Sequence, residues 1–257
     1  MNDLMSDSTA GASGEVIIEP AGQLDAVFRE LDVRQRDDGI LAVTRLVQGF
    51  PVPVGELWRC CTEADRLSRW FGVVGGDLRL GGRFSVEGNA SGTVERCASP
   101  GAGAAGELQL SWEFGEDVSQ VELRCEEAPE SAGDAGSADG AGPPQASRLV
   151  LEHRGIVPLD FWRTYGPGAG GVGWDLALLG LAHHLRTGST VPAEQSLWVT
   201  TPAAAEFIAG SSEAWGRASE AAGTSPEMAQ AAARRTTVFY TTPDCATPDA
   251  EEPDTEG

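Results

Sequence analysis

The sequence predicts an α+β fold over residues 38–187, in which a long C-terminal helix closes a curved antiparallel sheet over an apolar pocket. Three observations carry this expectation. From residue 75 onward, short strand-like runs follow one another with glycine-rich punctuation and no helix between them, which implies an antiparallel meander. In one run Leu108, Leu110, Trp112 and Phe114 alternate with Gln109, Ser111 and Glu113, and a period of two marks a half-buried strand. Residues 174–185 then carry the longest apolar helical pattern, with Trp174, Leu176, Leu178, Leu179, Leu181 and Leu185.

Taken in order, residues 1–36 read as a flexible acidic arm, with a weak helical pattern at Leu24, Val27, Phe28 and Leu31. The domain proper is expected at 37–188. Its first strand, 39–48, rests on Ile40, Leu41, Val43, Leu46 and Val47. Pro51 and Pro53 stop that strand, and a short helix opens at Pro53. Thr62 is a candidate N-cap for a second helix carrying Ala64, Leu67, Trp70 and Phe71 at helical spacing. Strand segments follow at 78–86 (with a Gly81-Gly82 turn), 92–97, 107–114, 119–126 and 147–153. Residues 128–146 are almost entirely Gly, Ala, Ser, Pro, Asp and Glu, too polar to order themselves by burial, and read as a mobile hairpin extension. Residues 166–173 read as a glycine loop leading into the closing helix at 171–187. An extension at 189–241 holds two more helical patterns, 203–222 and 226–240, whose Thr-Pro and Ser-Pro starts place proline in the first turn. Residues 242–257 read as an acidic, disordered tail.

The 257 residues are 41% hydrophobic, enough for a core, and carry a formal net charge of -21. Residues 244–257 contribute six acids without a base, and residues 126–142 five more, so much of the excess sits in tails and loops. Binding to nucleic acid or to an anionic membrane surface needs clustered cations and is excluded on that ground. All 18 bases are Arg, consistent with a GC-rich bacterial coding sequence. Five cysteines, an odd count with no CxxC spacing, fit neither a disulfide framework nor a zinc site, so no metal or cofactor is expected. The polar, acidic start lacks a signal-peptide pattern, no run reaches the about 20 apolar residues of a membrane span, and the cytoplasm is the expected compartment.

Several motifs stand in order: Trp58, then Leu67-Ser68-Arg69-Trp70-Phe71, Leu80-Gly81-Gly82-Arg83-Phe84, Ser111-Trp112-Glu113, Leu151-Glu152-His153 and Gly173-Trp174-Asp175. Together they resemble the activator-of-Hsp90-ATPase-homologue group of the START/Bet v 1-like (SRPBCC) superfamily. The tail, with Phe207, Trp215 and Arg235-Thr236-Thr237, resembles the C-terminal extension of actinobacterial members. The resemblance implies a helix-grip fold, with a bent sheet wrapped around the long helix and a cavity between them. It implies that Trp70 and Phe71 cap one end of the sheet, and that Gly173 lets the chain approach the sheet closely.

The cavity candidates are Trp70, Phe71, Phe84, Trp112, Leu151, His153, Trp174 and Leu178. His153 shares a strand face with Leu149 and Leu151, and is either a polar ligand contact or a buried group satisfied by a hydroxyl or carbonyl. His183 and His184 are adjacent on a helix, about 100° apart, and cannot jointly hold a metal; one is expected in the core and one in solvent. One thiol of Cys60-Cys61 is expected in the core, Asp175 is read as a helix-start acid, and Glu95 with Glu113 as a candidate pocket pair. No catalytic residue is assigned. The leading function is the binding of a small apolar or aromatic molecule. Regulation of an Hsp90-type chaperone, and a cyclase or aromatase activity with His153 as the acid/base, are the alternatives. Pairing of two copies is left open.

Overall fold

A computed structural model describes residues 20, 22–129, 147–190 and 197–242. The expected hairpin extension falls mostly outside these residues, as do most of the N-terminal arm and the acidic tail. Eight antiparallel strands form one sheet in the order β1-β2-β8-β7-β6-β5-β4-β3: β1 (Val27–Arg36), β2 (Gly39–Phe50), β3 (Val74–Gly76), β4 (Arg83–Val86), β5 (Ser91–Ala98), β6 (Gly106–Phe114), β7 (Asp117–Glu127) and β8 (Ser147–Val157). From β4 to β7 the chain is the expected meander. The single crossover places β8 between β2 and β7, with Leu151 opposite both Leu46 and Leu123.

Residues 23–31 are not a helix, and residues 27–36 are not a free arm. Only Gln23–Ala26 (α1) is helical, and Val27–Arg36 pairs with β2 along its whole length, Val27 to Gln48 through Arg36 to Gly39. The apparent helical spacing is outweighed by alternation: Val27, Arg29, Leu31 and Val33 turn inward, while Phe28, Glu30, Asp32 and Arg34 face out. The Gln23 and Gln48 carboxamides exchange hydrogen bonds of 3.0 and 3.1 Å, fastening α1 to β2.

Two short helices, α2 (Val54–Thr62) and α3 (Ala64–Leu67), close one end of the sheet. Glu63, not Thr62, precedes α3, and the Thr62 hydroxyl instead donates to the Trp58 carbonyl. Next come α4 (Leu159–Tyr165) and the long helix α5 (Gly168–Thr187), which ends at Gly188 in the left-handed region, φ 72°. The glycines at 168–173 therefore lie inside α5 rather than in a loop, because a neighbouring helix needs the space. A Cβ on Gly171 would stand 2.3 Å from the Trp215 indole, so α5 and its neighbour approach closely there.

That neighbour is α6 (Pro202–Ala221), followed by α7 (Pro226–Thr241); Thr201 and Ser225 cap them by accepting from the Ala204 and Met228 amides. Arg235 on α7 donates to the Thr164 and Arg163 carbonyls at the end of α4, at 2.6 and 3.0 Å. Among the described residues no helix is long and apolar enough to cross a membrane.

Asp175 is not a helix-start acid. It lies two turns into α5, fully buried, and its carboxylate accepts from Arg29 on β1 (Nη2 to Oδ1 2.8 Å, Nε to Oδ2 2.9 Å). Ser211 Oγ at 2.5 Å and Trp215 Nε1 at 3.0 Å, both on α6, donate to the same group. The remaining Arg29 nitrogen, Nη1, donates to the Leu24 and Val27 carbonyls, each at 2.9 Å. Burial pushes the Asp175 carboxyl above its ordinary value, while the Arg29, Ser211 and Trp215 donors pull it back. Losing one partner leaves a buried, uncompensated charge, so Asp175→Ala is expected to lower stability by about 3–5 kcal/mol in urea denaturation. Replacing both charges, as in Arg29→Met with Asp175→Leu, is expected to recover most of that loss.

Candidate functional site

The concave face of the sheet, the facing side of α5 and the segment from Cys61 to Phe71 line a partly open apolar cavity of ≈ 80 Å³. Alternation on β6 and β7 aims Leu108, Leu110 and Trp112, then Val121 and Leu123, into it. A register shift between Val94 and Arg96 on β5 turns Cys97 back to the same side. From α5 come Trp174, Ala177 and Leu178.

Seven of the eight sequence candidates line this space: Trp70, Phe71, Phe84, Trp112, Leu151, Trp174 and Leu178. Five of them form a continuous train of rings. Trp70 meets Phe71 at 5.4 Å, Phe71 stacks parallel on Trp174 at 6.3 Å, Trp174 tilts against Trp112 at 5.5 Å, and Trp112 meets Phe84 at 6.1 Å. Such offset and tilted contacts suit the ring quadrupoles. The Trp70 indole donates to the Cys60 carbonyl at 3.0 Å, which ties the train to α2.

His153, the eighth candidate, stands behind the wall. Trp174 Nε1–H donates to His153 Nδ1 at 3.0 Å, and an indole can only donate, so Nδ1 carries no proton. The proton sits on Nε2, which donates to Ser119 Oγ at 2.8 Å; that hydroxyl in turn donates to the Trp112 carbonyl at 3.1 Å. The hydrogen bonds run Trp174, His153, Ser119, Trp112, joining the two tryptophans of the wall. Burial holds the imidazole neutral by lowering its pKa to about 4. His153 is half-buried and hydrogen-bonded at both ring nitrogens, with the Ser119 hydroxyl as one partner.

Other expectations need correction. Glu113 and Glu95 do not form a pocket pair: Glu113 binds Arg83 at 2.7 Å and Glu95 accepts from Gln120, both on the outer face. His183 and His184 are both buried, where one was expected in solvent. His184 Nδ1 lies 2.8 Å from the Ser189 carbonyl, and both His183 nitrogens lack a hydrogen-bond partner among the described residues. Both Cys60 and Cys61 are buried. The adjacent Cys125 thiol and burial hold the Cys61 thiol well above its ordinary value, as burial does for Cys60. Thiols so shifted are packing groups, poor as nucleophiles. Among the described residues no group of His, Cys, Asp or Glu could hold a metal ion.

No family model and no curated protein matches the chain. Solved structures do. The chain is 28% identical to CalU16 from Micromonospora echinospora in its crystal structure, with a TM-score of 0.53 over 76% of this chain and 99% of that one. Against the solution structure of CalU16 the values are 27% and 0.57, over 83% and 100%. The AHSA1 protein from Silicibacter pomeroyi is 21% identical, TM-score 0.38, over 57% of this chain and 99% of that one. The bent eight-stranded sheet gripping α5, with the likeness to CalU16, defines a helix-grip, Bet v 1-like fold.

The neutral His153 gives the site a pH signature. In the unfolded chain this histidine takes up a proton near its ordinary 6.5, whereas in the folded protein it resists until about 4. The unfolded state therefore binds more protons across that window, and stability is lost as the pH falls through it, by about 3 kcal/mol at the lower end. His153→Gln supplies an acceptor for Trp174 and a donor for Ser119 without titrating. Stability measured by denaturant unfolding between those two pH values is expected to fall less steeply in this variant than in the wild type.

Proposed function

We propose that the protein is a binding module that holds one small apolar or aromatic molecule between the sheet and α5. The observation that carries this reading is the cavity lining: apart from the Thr62 hydroxyl and the Cys61 and Cys97 thiols, its side chains are aliphatic or aromatic. Such a surface recognises an occupant by shape and dispersion, with few polar groups to orient it. His153, the candidate for acid/base work, is committed at both nitrogens to holding the aromatic wall. Membership of the activator-of-Hsp90-ATPase-homologue group, with an actinobacterial type of C-terminal extension, belongs to the same proposal and rests on the ordered motifs from Trp58 to Asp175.

At ≈ 80 Å³ the cavity is smaller than the roughly 150 Å³ apolar void that admits benzene. An occupant of one or two rings must therefore move part of the lining, and Phe71, half-buried and without the hydrogen-bonded indole that anchors Trp70 and Trp174, is the member freest to swing. No residue of α6 or α7 lines the cavity, so the extension supports α5 from behind and leaves this space to the sheet, α5 and the α2–α3 segment.

The test is fluorescence titration with N-phenyl-1-naphthylamine, an uncharged aromatic probe. Saturable one-to-one binding with quenching of tryptophan emission is expected. Ala177→Leu projects three more carbons into the cavity and is expected to weaken binding on the order of tenfold or more, with the thermal midpoint retained. A linear titration of the wild type, or unchanged affinity in Ala177→Leu, removes this cavity as the site.

A further inference from the structure

β1 is an edge strand, and its outer side is unpartnered among the described residues. It runs ten residues with no proline and no register shift against β2, features by which sheets usually blunt an edge. The hairpin to β2 turns through Asp37 and Asp38 alone, with Arg36 opposite Gly39. A two-residue turn closes on a hydrogen-bonded pair, so the even-numbered residues of β1 bond to β2 and the odd-numbered ones aim N–H and C=O away from it. The Val27 carbonyl agrees, accepting instead from Arg29 Nη1. Past Arg29, where Asp175 ties the strand down, Leu31, Val33 and Gln35 have no such partner for these groups among the described residues.

The outward side chains of this free stretch are Glu30, Asp32, Arg34 and Arg36, two acids followed by two bases. Asp32 and Arg34 are 61% and 73% exposed. That order is self-complementary under a two-fold axis through Val33. Antiparallel pairing there sets Asp32 opposite Arg34 of the second copy and Glu30 opposite its Arg36, with Val33 facing itself. Shifting the axis to residue 32 or 34 sets Asp32 against Asp32 or Arg34 against Arg34, which like-charge repulsion disfavours. The Val33-centred register also makes Leu31, Val33 and Gln35 the hydrogen-bonded positions, as the hairpin geometry requires, and brings the half-buried Leu31 and Val33 of both copies together.

We infer that two copies of this chain associate through β1, antiparallel about Val33, joining their sheets into one. The contact is a strand pair rather than a broad face, so the dimer is a weak, concentration-dependent one. Opposite charges facing across the axis select the register, and the same charges make a hydrophobic edge partner unsuitable.

Sedimentation velocity on the full chain, from about 1 to 200 µM at physiological salt, tests this. A reversible monomer–dimer shift is expected. Arg34→Asp sets acid against acid at the axis and is expected to leave the protein monomeric throughout. The swap Asp32→Arg with Arg34→Asp faces opposite charges again and is expected to restore the dimer. Thermal midpoints of the variants check that each is folded. A wild type that stays monomeric, an Arg34→Asp protein that dimerises as well as the wild type, or a charge swap that stays monomeric overturns the proposal.

Discussion

The ion pair between Arg29 and Asp175 organises everything around it. It joins the first strand of the sheet to the middle of the closing helix, and through Ser211 and Trp215 it draws in the helix behind. A carboxylate at that depth is tolerable because four donors surround it, and the guanidinium is tolerable because its remaining nitrogen meets two main-chain carbonyls. A purely apolar contact would tolerate sliding of the helix along the sheet. Directed hydrogen bonds do not, so α5 is held in one position against β1 and β2. The place of Trp174, one residue before Asp175, follows from that restraint, and with it the shape of the cavity.

How much of this was legible in the sequence depended on how far apart the interacting residues lie. The inward set on β6 could be read directly, since Leu108, Leu110 and Trp112 alternate within five residues. The aromatic lining could be proposed from the ordered motifs and the helix-grip fold they imply, not from periodicity alone. The ion pair could not, because its partners are 146 positions apart and each looked ordinary alone. Asp175 beside Trp174 resembled a helix-start acid only while the glycines before it were taken for a loop. The available signal was a lone acid inside an apolar helix, matched by Arg29 at an inward position between Val27 and Leu31.

The glycines illustrate a second limit. Gly168 and Gly171 lie in a helix because Thr236 and Trp215 occupy the space their side chains would fill, and both neighbours come from the C-terminal extension. Local propensity marks such a run as a breaker. Helix-to-helix packing overrides it, and nothing within residues 166–173 announces that. The edge strand was missed for a related reason: Leu24, Val27, Phe28 and Leu31 satisfy a helical spacing, but pairing with β2 supplies hydrogen bonds along ten residues that a short isolated helix could not match.

The hydrogen-bond relay behind the cavity ends on a backbone carbonyl, that of Trp112, and not on a side chain of the lining. Every polar atom of the relay is thus satisfied from outside the pocket, whatever occupies the inside. Leu108, Leu110, Val121 and Leu123 can consequently drift among hydrophobic residues of similar size without orphaning a donor or an acceptor. Architecture and the shape of the cavity are governed by separate sets of residues in this molecule. A lineage carrying it could reshape that space by small changes, one wall position at a time, while the scaffold stays put.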